Sequence, residues 1–154
     1  MSARVRARRP APWLLACACF LACAPDVPGA RLPIETLVVG NVRITAELAF
    51  TRADRTRGLM QRESLPEDHG MLFIYPTEAP LAFWMRNTPL PLSIAFADAG
   101  GRIFRIAEME PYSEELIPSG RPARFALEMN RGWFERRGVF VGDEIRRIPV
   151  VPVE

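Results

Sequence analysis

From Asn41 onward, hydrophobic and polar residues alternate with the period of a β-strand. Val42, Ile44, Ala46, Leu48 and Phe50 fall on one side and Asn41, Arg43, Thr45, Glu47 and Ala49 on the other. That is the pattern of a strand with one buried face. Thr51-Arg-Ala-Asp54 then has the form of a capping box and predicts a short helix to about Arg62, in spite of Gly58, with Leu59 and Met60 on its buried side. Pro66–Gly70 reads as a loop. Gly70–Tyr75 is apolar throughout, as in a strand covered on both faces. Pro76–Pro80 is expected to turn the chain, after which Leu81, Phe83 and Met85 alternate with Ala82, Trp84 and Arg86 in a further strand. Beyond Pro89 and Pro91, the positions Leu92, Ile94 and Phe96 mark another. Ala99-Gly-Gly101 signals a hairpin, with Arg102–Glu110 as the returning strand.

Residues 111–121 contain Pro111, Pro118 and Gly120 and read as an irregular loop. Ala123, Phe125, Leu127 and Met129 form one side of the next strand. Asn130 is placed to cap a short helix through Arg137, ended by Gly138. Val139–Val141 and Glu144–Ile148 complete the series. Six to eight short strands with turn signals between them predict a mainly β fold, a compact β-sandwich or barrel-like single domain with two short helices. It spans residues 41–148, with a tail at 149–154.

The first 40 residues follow another pattern. Arg4, Arg6, Arg8 and Arg9 precede an apolar run from Trp13 to Ala24, the layout of a secretory signal peptide. A permanent spanning helix needs about 20 apolar residues, which this run does not supply. Cleavage after Ala24 fits Ala22-Cys-Ala24. Phe20-Leu-Ala-Cys23 instead resembles a bacterial lipobox, with phenylalanine a departure at its first position, and makes Cys23 the lipidated residue. Alanine after that cysteine favours the outer membrane, by resemblance to the bacterial sorting rule. The expected organisation is a signal peptide over 1–23 and a proline-rich linker over 24–40. The expected location is the periplasmic face of the outer membrane, with a soluble periplasmic or secreted protein as the alternative.

Composition then changes the picture of charge. The 154-residue chain has a formal net charge of +2, from 20 basic and 18 acidic residues. Removing residues 1–22 takes away four arginines and no acid, which leaves 16 basic against 18 acidic residues and a charge of −2. Nothing here argues for nucleic acid. There is no lysine, so Schiff-base and P-loop chemistry are excluded. All three cysteines lie in the first 23 residues, and His69 is the single histidine. No Gly-x-Gly-x-x-Gly or Gly-x-Ser-x-Gly occurs. The sequence assigns no cofactor and no metal.

Four segments together resemble one family: Gly58-Leu-Met-Gln-Arg62, Gly70-Met-Leu-Phe73, Phe83-Trp-Met-Arg-Asn-Thr88 with Pro91-Leu-Ser-Ile94, and Leu127-Glu-Met-Asn130 followed by Gly132-Trp133. They resemble the domain of unknown function family 192, a group of mostly bacterial and archaeal proteins, often exported or membrane-anchored. The resemblance spans about residues 41–148. It implies a β-rich fold and no particular activity. Members of that family usually carry aspartate where this chain has Ser93.

The candidate site follows from strand parity. Trp84, Arg86 and Thr88 share one face of their strand while Phe83 and Met85 share the other. A tryptophan beside an arginine can stack a planar ligand or sugar ring and hold an anionic group, with Asn87 and Ser93 adding hydrogen bonds. Alternatively, Trp84 packs under a loop and Arg86 pairs with an acid such as Glu128. Glu128 stands on the polar side of an otherwise apolar strand. With Glu47, Glu108 or Glu110 it would form the acid pair of a hydrolase; neutralised by Arg86 or Arg124 it would be structural. The expected function is a non-catalytic envelope module that binds a small molecule, a glycan or an envelope protein through the Trp84/Arg86 face and meets the membrane through its lipid. The alternative is a carboxylate-dependent hydrolase using Glu128.

Overall fold

The computed structural model describes residues 31–153. The expected export signal, the expected lipidation at Cys23 and the expected linker as far as residue 30 lie outside the described residues. The described chain runs β1 (Ile34–Val39), β2 (Val42–Ala49), α1 (Arg52–Arg57), β3 (His69–Phe83), β4 (Leu92–Ala97), β5 (Ile103–Met109), β6 (Ile117–Asn130), α2 (Trp133–Arg136) and β7 (Ile145–Arg146). All seven strands belong to one sheet, in the order β5-β4-β6-β3-β2-β1-β7. Every pairing is antiparallel except β2 with β3, which run parallel and are joined by the crossover that carries α1. The fold is thus mainly β, a curled seven-stranded half-barrel with two short helices.

Both faces of the sheet are covered, and strand parity decides which residue goes where. Leu72 and Ile74 join Leu37, Ile44, Leu48 and Leu127 on the first face, which is closed by Trp133 and Phe134 of α2. Met71 and Phe73 join Leu92, Ile94 and Phe96 on the second, which is closed by Leu59 and Phe83. Trp133 is fully buried, and its indole N–H donates to Asp68 Oδ1 at 3.0 Å. Asp68 also holds Arg137 at 2.8 Å, so the loop before β3 and the end of α2 are locked together.

The curl comes from β3 and β6. Ten residues of flat strand would put Phe73 and Phe83 about 33 Å apart, yet their rings meet edge-to-face with centroids at 4.9 Å. Register shifts between Ile74 and Ala79 and between Pro80 and Ala82 bend the pair so that its far end returns over the second face. Phe83 also meets Phe96 at 5.7 Å.

Several local expectations are corrected. Ile34–Val39, expected within the linker, is a strand paired along its length with β2. Pro76–Pro80 does not end a strand but lies inside the bulged β3, and the expected loop over 111–121 gives way to β6 from Ile117. The capping box is formed, with Thr51 Oγ1 accepting from Asp54 N at 3.1 Å, but α1 stops at Arg57, before Gly58 (φ 49°). Asn130 does not cap α2. Its amide donates to Leu65 O and Pro66 O at 3.0 and 3.2 Å, and Gly132 is the N-cap. Of the two strands expected after Gly138, only Ile145–Arg146 is paired. The Asp98–Arg102 hairpin is as expected. Gly101 (φ 81°) is required there, because a Cβ would lie 2.4 Å from Ile145 O.

Candidate functional site

Glu128 is set by parity on the second face of β6, between Met71 of β3 and Ile94 of β4 in the same cross-strand row. It is only 4% exposed. Among the described residues its carboxyl forms no hydrogen bond or ion pair, and it opens into a cavity of about 510 Å³ inside the curl. Phe73 and Phe83 wall the cavity, with Leu59 and Gly58 from the segment after α1. Trp84, Leu116 and Thr88 line it on the side of the Phe83–Thr88 motif, and Arg52, Arg55 and Arg57 line it from α1.

Burial pushes the Glu128 carboxyl from the ordinary 4.5 up to about 8, because an ion in that apolar setting loses its hydration. At pH 7 the group is mostly protonated, a hydrogen-bond donor rather than a charge. Tyr75, also on the wall, is raised by burial, with Arg55 working against that shift and Glu128 adding to it. The Arg55 guanidinium stands 4.8 Å from the Tyr75 ring centre and donates to Phe50 O and to Ile74 O, the latter at 3.0 Å. α1 itself has no buried residue. Its arginines therefore stand at the mouth of the cavity.

The predicted residues separate into three groups. Trp84, Thr88 and Glu128 come together at the cavity, with Trp84 42% exposed and Thr88 buried. Arg86 and Asn87 are marginal. Arg86 shares the exposed side with Trp84, 5.6 Å from its ring centre, and faces Glu114 at 3.8 Å across solvent, a contact of small energetic weight. Asn87, with φ 55°, uses its carbonyl to accept from Gln61 N at 2.8 Å and so fixes the segment that leaves α1. Ser93 is corrected to a structural role away from the cavity. It is fully buried, donates to Glu108 Oε1 at 2.7 Å and accepts from Gly132 N at 2.8 Å.

The expected neutralisation of Glu128 is corrected as well. Arg86 pairs with Glu114, and Arg124 lies over the Phe125 ring at 5.7 Å. Nor do the conceivable acid partners reach Glu128. Glu47 shares its cross-strand row but lies two strands away, about 10 Å, beyond Met71 and paired with Arg62 at 2.6 Å. Glu108 and Glu110 are held by Arg131 at 3.5 and 2.8 Å. Glu128 is the one acid among the described residues that line the cavity. The sequence reading missed Tyr75, Phe73 and the α1 arginines as site residues. A clue was available in Arg52-Ala-Asp-Arg-Thr-Arg57, a capped helix with no apolar face of its own.

Fold and site together define a class: a curled β-sheet domain with one arginine-rimmed, aromatic-walled cavity floored by a buried carboxyl. The chain belongs to the domain of unknown function family 192, described as an uncharacterised ACR family, whose model matches residues 35–147. Two solved structures are similar to it. One, from Sinorhizobium meliloti 1021 and described as a candidate transcription regulator, is 35% identical. It aligns over 75% of this chain and 95% of its own, with a TM-score of 0.74. The other, a protein of unknown function from Novosphingobium aromaticivorans DSM 12444, is 37% identical over 81% of this chain and 94% of its own, with a TM-score of 0.72. Among curated proteins, none matches the chain.

Proposed function

We propose that the protein is an exported, non-catalytic module that binds a small molecule in the cavity beneath α1, tethered to the membrane by a lipid on Cys23. One observation carries the binding role: a buried carboxyl without a partner among the described residues opens into a cavity of about 510 Å³. That volume lies in the range of small-molecule sites, about 300–1,000 Å³. A ligand oxygen in the cavity would accept the hydrogen bond that the protonated carboxyl offers. Glycosidase-type hydrolysis needs two carboxyls about 5–9.5 Å apart, and a single acid at the cavity speaks against it. Placement at the periplasmic face of the outer membrane rests on the Phe20–Cys23 segment and on Ala24.

A fragment screen by thermal shift tests the binding role, since a ligand at 100 times its Kd adds about 2.7 kcal/mol. Fragments that stabilise the protein should lose their effect in Trp84→Ala, whose exposed side chain can be removed without unfolding the sheet. Undiminished binding by a folded Trp84→Ala protein would overturn this site. The tether is tested separately: Cys23→Ala should abolish labelled fatty-acid incorporation and release the protein from membranes. Continued lipid labelling would refute it.

A further inference from the structure

We infer that the cavity selects small organic anions with a ring-bearing apolar body, the ring lying between Phe73, Phe83 and Trp84 and the anionic group meeting the arginines of α1. This rests on the reading of the cavity as a binding site and names the class of ligand it would take.

An unpaired carboxyl among aromatic rings is, taken alone, compatible with a cationic ligand as well. The mouth decides between them. Arg52, Arg55 and Arg57 all line the cavity, and the one acid on α1, Asp54, is occupied by Arg57 at 2.8 Å and by the Thr51 hydroxyl at 2.6 Å. The Arg52 side chain is exposed and forms no hydrogen bond or ion pair among the described residues. Guanidinium groups do not lose their charge in proteins. Arg52 therefore gives the entrance a positive charge unpaired among the described residues, which repels an ammonium ion and attracts a carboxylate or phosphate that arginine can grip through two parallel hydrogen bonds.

The floor agrees with the mouth. With burial raising Glu128 to about 8, its carboxyl keeps a proton at neutral pH and can donate to a carbonyl or hydroxyl oxygen on the inner end of the ligand. A cation would instead require that buried carboxyl to ionise. Phe73 and Phe83, edge-to-face at 4.9 Å, and the partly exposed Trp84 offer ring surfaces between floor and mouth.

The test uses the full chain and four naphthalene probes: 2-naphthoate, 2-naphthyl phosphate, neutral 2-naphthalenemethanol and cationic 2-naphthylmethylamine. Binding is followed by tryptophan fluorescence and confirmed by thermal shift. Fully buried Trp133 on the opposite face should not respond. At least one anion should bind ten-fold or more tighter than the neutral probe, and the amine should be weakest. The carboxylate and phosphate arms show which anionic group the rim accepts. Arg52→Ala should weaken the anion at least several-fold and leave the neutral probe unchanged. With 6-hydroxy-2-naphthoate as a fifth probe, whose hydroxyl lies at the end away from the carboxylate, Glu128→Leu should weaken binding, and Glu128→Gln, which keeps a donor, should weaken it less. An amine that binds as tightly as the anions, or anion binding indifferent to Arg52→Ala, would overturn the inference. If fragments bind the cavity while all five probes fail, the anion class is wrong and the binding role stands. If nothing binds at all, the binding role itself fails.

Discussion

Replacing Glu128 with glutamine should remove most of the pH dependence of stability between pH 5 and 8. The carboxyl is raised from 4.5 to about 8 by burial, so over that interval the folded protein holds a proton that the unfolded chain has released. Stability therefore falls as pH rises: the contribution is fully present below 4.5, declines toward 8, and changes no further above it. At about 1.36 kcal/mol for each tenfold change in the protonation equilibrium, the full loss is roughly 5 kcal/mol and the loss by pH 7 about 3 kcal/mol. Either is large against a total stability of about 5–15 kcal/mol. Glutamine has nearly the same shape and cannot ionise, but its amide brings a buried donor that costs about 1–3 kcal/mol if unmet. The variant should thus be equal to or weaker than the parent at pH 4.5 and clearly stronger at pH 8. Urea denaturation of both proteins at pH 4.5, 6.5 and 8 measures this, and the difference between them cancels the other titrating groups. A difference that stays constant within about 0.5 kcal/mol across that range would refute the burial argument.

Substitutions at four further positions test the frame around the site. Gly101→Ala should destabilise by more than about 1 kcal/mol in urea denaturation, because φ is 81° and the new Cβ would meet Ile145 O at 2.4 Å. Ser93→Ala should cost about 1–2 kcal/mol by the same measurement, since Gly132 N and Glu108 both lose their bond to the hydroxyl. Ser93→Asp should be poorly tolerated alone, with a second carboxylate against Glu108, and should be rescued by Glu108→Ser; a double-mutant cycle without coupling would refute that explanation. Trp133→Phe should lower stability by at least about 1 kcal/mol, with loss of the indole bond to Asp68 and of packing on the first face.

Where local period governs, the sequence was readable. β2 follows its alternation, β4 and β5 form where their strands were expected, and Thr51 caps α1 as the Thr-x-x-Asp spacing requires. The failures involve long-range partners. Pro76 and Pro80 look like the end of a strand, but both sit at register shifts, where a missing N–H is tolerated. Ile34–Val39 does not alternate cleanly, and pairing with β2 along its length and with β7 at its end makes it a strand. Asn130 has a capping residue's chemistry but spends it on Leu65 and Pro66, far away in sequence. Parity put Glu128 on the opposite side of β6 from Leu127 and Met129, but the strand expected through Thr88 ends at Phe83, so Trp84 and Thr88 reach the cavity from the turn beyond it. What parity could not show was the bend that carries Phe83 back over Phe73 and turns a strand face into a cavity. The Ser93 position is instructive in the same way. Its contact with Gly132 N needs an acceptor, which the aspartate usual in the family would also supply.

The cavity persists because the element that closes it is unsuited to filling it. α1 has six residues, about 9 Å of helix, and none of them is buried. The apolar contact on this side is left to Leu59, just beyond Gly58, while the helix contributes arginines that cannot enter an aromatic space unpaired. Asn87 then holds Gln61 through its carbonyl, so the segment leaving α1 is tied to the end of the Phe83–Thr88 motif and cannot settle onto Glu128. The result is a floor, a wall and a rim fixed by different parts of the chain, around a space that a leucine or methionine at position 128 would help to fill. Such a replacement should stabilise the fold, since it removes a buried ionisable group at the cost of little strain. Under the proposed binding role, what Glu128 costs the fold is offset by what it contacts in the cavity.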